Sequence, residues 1–93
     1  MARIADIAVG ASNFDTRFLK ILEDSRLKAD EFEGLDYFTW LPLFVIAGAS
    51  ITPKIQVHGD HTHFEGAAID VPDDQVELFY DALPGLLARV DVG

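Results

Sequence analysis

The residues best equipped for chemistry fall in one short stretch. His58-Gly59-Asp60-His61-Thr62-His63-Phe64-Glu65 holds all three histidines of the chain. Gly59-Asp60 lies between alternating segments and predicts a two-residue type II′ hairpin turn, with glycine where a positive φ is needed. That turn sets a register in which His58 faces His61, Val57 faces Thr62, Gln56 faces His63, Ile55 faces Phe64 and Lys54 faces Glu65. Directly opposed residues have Cβ atoms about 4.5–5.5 Å apart. His58, His61 and His63, with Glu65 beside them, are therefore a candidate site for a divalent metal. Zinc accepts such nitrogen and oxygen ligands, and three protein ligands with an open position form its catalytic arrangement. The spacing matches no established metal motif, and imidazoles on a water-facing hairpin need no ligand.

Other constellations carry less. Asp70, Asp73, Asp74 and Glu77 could offer oxygens to a hard cation, but the calcium-loop pattern is missing, and Asp73 and Asp74 suit the start of a helix. Arg17, Lys20, Arg26 and Lys28 are interleaved with Glu23 and Asp24, as on a solvated helix face. Ser12, Ser25 and Ser50 lie in no nucleophile-elbow context, and Gly48-Ala49-Ser50 lacks the second glycine. There is no Gly-rich phosphate loop and no cysteine, which removes disulfides, thiolate metal sites and thiol nucleophiles. No catalytic residue is assigned.

The elements that must position these groups can be read from periodicity. Arg3 to Val9 is a strand, with Ala5, Ile7 and Val9 on one side and Ile4, Asp6 and Ala8 on the other. Ser12 and Asp15 have capping-box spacing, and Phe14, Phe18, Ile21 and Leu22 form the apolar stripe of a helix from residue 12 to near Lys28. Phe32, Leu35 and Phe38 permit a short helix within Ala29 to Thr39. Pro42 disfavours helical geometry at Leu41, so Leu43 to Ala47 is expected to be a strand buried on both faces. Ile69 to Val71 extends the hairpin, Pro72 to Gln75 stops the strand and caps a last helix, and the apolar stripe of that helix runs from Val76 to Val90 with a kink or break at Pro84-Gly85. The predicted fold is α+β: a single domain over residues 1–93, with a small, largely antiparallel sheet and helices on one face. Ile55, Val57, Phe64 and the Leu43 to Ala47 strand are expected to form the covered face.

Bulk properties narrow the partners. Residues 1–29 hold five cations and four carboxylates, net +1, whereas residues 30–93 hold two cations and twelve carboxylates, net −10. Such a field repels phosphate backbones and anionic membranes and favours encounter with basic surfaces. The N-terminus lacks a signal-peptide core, and the apolar run from Trp40 to Ile51 is too short to span a bilayer, so a cytoplasmic location is expected. An apolar fraction of 49% exceeds what a core of this size readily hides, which predicts a homodimer or an apolar docking face.

Ile4 to Val9 followed by Asn13 to Thr16 resembles the opening of fasciclin-like adhesion domains. The resemblance is confined to that stretch, the family's later boxes have no counterpart, and no function is carried across. The functional expectation is a small acidic, non-enzymatic interaction protein: an inhibitor, antagonist or adaptor for a basic protein surface. Phe32, Tyr37, Phe38, Trp40 and Tyr80 are its candidate aromatic anchors. The alternative is a metal- or small-ligand-binding protein, extending to a metal-dependent enzyme, built on the histidine face.

Overall fold

In the computed structural model, which describes residues 1–8 and 10–90, the chain runs through β1 (Ala2–Ala8), β2 (Asn13–Phe14), α1 (Thr16–Asp24), α2 (Ala29–Glu33), α3 (Tyr37–Ile46), β3 (Ser50–His58), β4 (His61–Val71), a 3₁₀ turn (Asp73–Gln75) and α4 (Val76–Arg89). The four strands form one antiparallel sheet in the order β2-β1-β4-β3. This is the α+β architecture expected from the sequence, with the helices on one face.

The strand lengths shape the molecule. β1 pairs with β4 only between Gly66 and Val71. The first five residues of β4, His61 to Glu65, have only β3 as a neighbour. At about 3.3 Å per residue they form a two-stranded ribbon projecting some 17 Å beyond the packed part of the sheet.

Beneath the helices the core is strongly aromatic. Phe18, Phe32, Phe44 and Phe79 are fully buried and touch in sequence, with ring centroids 5.6 Å apart for Phe18–Phe32, 5.9 Å for Phe32–Phe44 and 5.6 Å for Phe44–Phe79. Ile4, Ala5, Ile7, Ala67, Ile69 and Val71 are the sheet's contribution. Ile4 reaches this side through a register shift between Arg3 and Ala5. The simple alternation expected for the first strand would have put Ile4 opposite Ala5 and Ile7. The extra residue lets Ile4, Ala5 and Ile7 all enter the core while Arg3 and Asp6 stay outside. Val9 lies outside the described residues.

Four local expectations are corrected. Leu43 to Ala47 is not a strand: α3 continues through Pro42 to Ile46, with Ala47 as its cap. Trp40 and Phe44, one helical turn apart, are both buried with rings 5.3 Å from each other, and Trp40 also packs on Phe32 at 5.5 Å. Two buried aromatics contribute about 3–6 kcal/mol, and each ring pair adds about 0.5–1.5. That outweighs the cost of a helical proline, about 3 kcal/mol, borne here at an exposed position.

The first helix begins at Thr16 rather than at residue 12. The Ser12 hydroxyl instead donates to the Ala8 carbonyl at 2.9 Å and accepts from the Ala8 N–H at 3.0 Å, closing the turn that lets Asn13 and Phe14 pair with β1. It ends at Asp24, well short of Lys28. The last helix is a single element through Pro84.

The fourth correction concerns the hairpin. Its register from His58↔His61 to Ile55↔Phe64 is as the turn dictates, and Gly59 has φ +62° while Asp60 is not positive, the II′ pattern. Beyond that the pairing shifts: Lys54 lies opposite Gly66, not Glu65. A β-carbon on Gly66 would stand 1.7 Å from the Ile7 carbonyl oxygen, so close approach of the neighbouring strand demands glycine there.

Candidate partner interface

The histidines lie together on one face of the projecting ribbon. His58 and His63 meet edge to face, 5.5 Å between centroids, and the His58 Nε2 pairs with the Gln56 side-chain oxygen at 3.0 Å. His61 lies against Asp60 instead, with Nε2 3.4 Å from its carboxylate. Glu65 falls beyond the register shift and does not complete a set with them. Among the described residues, no three His, Asp or Glu side chains are placed to hold a metal ion.

The other polar constellations are occupied structurally. Asp70 accepts from the Arg3 Nε at 2.6 Å, Asp73 lies 3.3 Å from the N-terminal ammonium, and Glu77 accepts both guanidinium nitrogens of Arg17 at 2.7 and 2.8 Å. Asp6 pairs with Lys54 and lies near Arg3. The open face of the sheet thus carries an alternating ladder of charges. The Ser25 hydroxyl donates to the Leu22 carbonyl.

The five predicted anchors divide. Phe32, Trp40 and Tyr80 are buried, and they form the core rather than a docking surface. Tyr80 donates its hydroxyl to Asp15, and its ring lies beneath Arg17. Tyr37 and Phe38, at the start of α3, remain at the surface, and the structure joins them to Phe64 of the ribbon. Tyr37 stacks on Phe64 with centroids 4.8 Å apart, and Phe38 meets Phe64 edge-on at 6.2 Å.

That junction connects two apolar surfaces. α3 is apolar around most of its circumference, a composition usually found in fully enclosed helices. Here Trp40 and Phe44 face inward, while Phe38, Pro42, Val45 and Ile46, at i, i+4, i+7 and i+8, are exposed. Phe38 is 65% accessible and Ile46 82%. On the ribbon, Ile55, Val57 and Phe64 share the apolar face, with Val57 68% accessible and Phe64 47%. The sequence assigned Ile55, Val57 and Phe64 to the covered face. Ile55 and Val57 are uncovered because the ribbon extends past β1, and Phe64 stays half-exposed with Tyr37 and Phe38 at the start of α3 against it. The pattern of Leu41 to Ile46 correctly implied one side without a cover, although the element is a helix and not a strand.

At the junction, α3 and the base of the ribbon enclose a cavity of about 140 Å³. Tyr37, Trp40 and Phe64 line it, together with Glu33 and Glu65. In a regular strand Phe64 and Glu65 would point to opposite faces. The register shift opposite Lys54 re-aims one of them, so both line the same cavity. Glu33 is fixed by accepting the Gly10 N–H at 2.7 Å. Burial pushes the Tyr37 phenol up, so its ring remains neutral well past physiological pH.

Among the described residues no helix is long and apolar enough to cross a membrane. Comparison with family models, with curated proteins and with solved structures gave no significant match.

Proposed function

We propose that this protein is a non-enzymatic interaction protein, an inhibitor, antagonist or adaptor, that docks on a basic protein through the surface running from Ile46 and Val45 across Phe38 to Phe64, Ile55 and Val57. The observation that supports this reading is the continuity of that surface. Two exposed apolar faces on separate elements meet through the Phe38–Phe64 contact, whereas the open face of the sheet is covered by paired charges. A large connected apolar patch on a small acidic protein is the signature of an anchor rimmed by steering charge.

The test compares Ile46→Asp with Leu78→Asp, an exposed apolar residue on α4 that is not part of the proposed surface. A basic partner captured by the wild type must elute as salt rises, be lost with Ile46→Asp and be retained with Leu78→Asp. Equal capture by both variants rejects the surface. Light scattering on the same proteins reads self-association. A mass that doubles with concentration, and does so only when Ile46 is intact, would assign the patch to a second copy of this chain instead.

A further inference from the structure

We propose that the cavity between α3 and the base of the ribbon receives an alkylammonium head group, specifically the end of a lysine side chain from the docked partner. This rests on the interaction reading and specifies the chemistry the partner must present.

Size comes first. Small-molecule sites are usually about 300–1,000 Å³, and this cavity is about 140 Å³. A cavity near 150 Å³ holds a group the size of benzene. One side-chain end fits, and a cofactor does not. Chemistry comes next. Three aromatic side chains line it, Tyr37, Trp40 and Phe64, with Tyr37 stacked on Phe64 and edge-on to Trp40 at 5.4 Å, beside the apolar Ile7, Leu35 and Ala67. Aromatic π-faces attract cations, and the attraction grows as water is excluded.

The carboxylates determine the sign of the charge. Glu33 and Glu65 both line the cavity, and no cationic side chain does. Lys54, which would have faced Glu65 in an unbroken hairpin, is drawn away to Asp6 by the register shift. Glu65 has no ion-pair partner among the described residues. Glu33 is held in place by a backbone N–H rather than neutralised by a cation. A neutral apolar end would leave both carboxylates without a counter-charge, and an anion would be repelled by both. Two residues that line the cavity, Tyr37 and Phe64, also touch Phe38 of the apolar surface, so a chain lying on that surface is within reach to insert a long, flexible, cation-tipped side chain. Lysine has that form: an apolar stem for the aromatic walls and a compact charge at the end.

The experiment uses small probes, so it reads the cavity independently of any protein partner. Trp40 is the only tryptophan and lines the cavity, so its fluorescence reports occupancy directly. n-Butylammonium chloride, titrated at constant ionic strength, should produce a saturable change with a dissociation constant in the millimolar range. n-Butanol, similar in shape and uncharged, should not saturate. Glu65→Gln should weaken n-butylammonium binding about threefold, and Glu33→Gln combined with Glu65→Gln about tenfold, with unchanged thermal midpoints. The amide that replaces the Glu33 carboxylate keeps an oxygen for the Gly10 N–H, so the fold survives the substitution. Equal binding of n-butanol overturns the charge assignment, and tighter binding of n-propylguanidinium overturns the ammonium. Linear fluorescence to saturation of solubility overturns the site itself. If instead the probe binds but Ile46→Asp leaves partner capture intact, the cavity stands and the wider docking surface fails.

Discussion

The Tyr80 hydroxyl donates to the Asp15 carboxylate at 2.6 Å, tying the middle of α4 to the residue that precedes α1. The same ring lies 4.4 Å beneath the Arg17 guanidinium, and Arg17 in turn grips Glu77 with both nitrogens. Hydroxyl, ring and ion pair act on one helix–helix contact. Tyr80→Phe retains the packing and loses the hydrogen bond. Because Asp15 is exposed and water can replace the donor, the expected loss is about 1 kcal/mol, read from urea midpoints. Tyr80→Ala, which also empties a core position, should cost about 3–5 kcal/mol.

The pH dependence has two limbs. Arg17 lowers the Glu77 carboxyl below its ordinary 4.5, first through the hydrogen bond and then through charge. The folded value is depressed, so the contribution is present above the unfolded value and fades as pH falls through the folded one. Glu77→Gln should therefore flatten the stability profile below about pH 4.5 and leave a smaller pH slope there. At the alkaline end, both tyrosines, Tyr37 and Tyr80, are raised above the ordinary 10.0, each chiefly by burial. Stability from a raised group is complete below the unfolded value and lost above it. Tyrosinate absorbance should lag behind that of free tyrosine above pH 10 and rise together with the loss of folded signal.

Gly66→Ala tests the strand crossing. The new methyl would meet backbone, the Ile7 carbonyl oxygen at 1.7 Å, and no side chain can rotate away to make room. The expected loss is about 3 kcal/mol in urea denaturation, far above that of an ordinary surface substitution. Gly59→Ala meets no atoms but sits at φ +62°, so its cost should be smaller, about 1 kcal/mol.

Pro42→Ala should stabilise the protein. Pro42 is exposed on the outer side of α3 and offers no N–H to the Phe38 carbonyl. Restoring that donor without touching Trp40 or Phe44 should yield about 1–3 kcal/mol and a higher thermal midpoint. An unchanged midpoint would mean the helix is already relaxed around the proline.

Much of this architecture was legible in the residues. Gly59-Asp60 fixed four cross-strand pairs because a two-residue turn leaves no freedom of register. Phe18 and Leu22 marked the buried stripe of α1 because helical period and amphipathicity agreed there. Leu43 to Ala47 misled because a local rule about the residue before proline competed with tertiary burial of Trp40 and Phe44, which no local pattern records. The site was half visible. Tyr37 and Phe38 were named as anchors, but Phe32, Trp40 and Tyr80 look identical to them in a sequence and differ only in what packs over them. The cavity was hidden altogether, since it depends on a one-residue shift opposite Lys54 that places Phe64 and Glu65 side by side.

Pro53 stands near the middle of β3, the outermost long strand of the sheet. The pair flanking a two-residue hairpin turn exchanges its hydrogen bonds, so even-numbered residues of β3 turn their amides toward β4 and odd-numbered ones turn them outward. Pro53 therefore faces outward with no donor to offer. It divides the outward amides into Ile51 on one side and Ile55 and Val57 on the other, leaving no unbroken row for another strand to zip against. Along β3 the ribbon can present a greasy surface to side chains while refusing to template backbone pairing. Strand-on-strand growth of a fibril would find no continuous template along that edge.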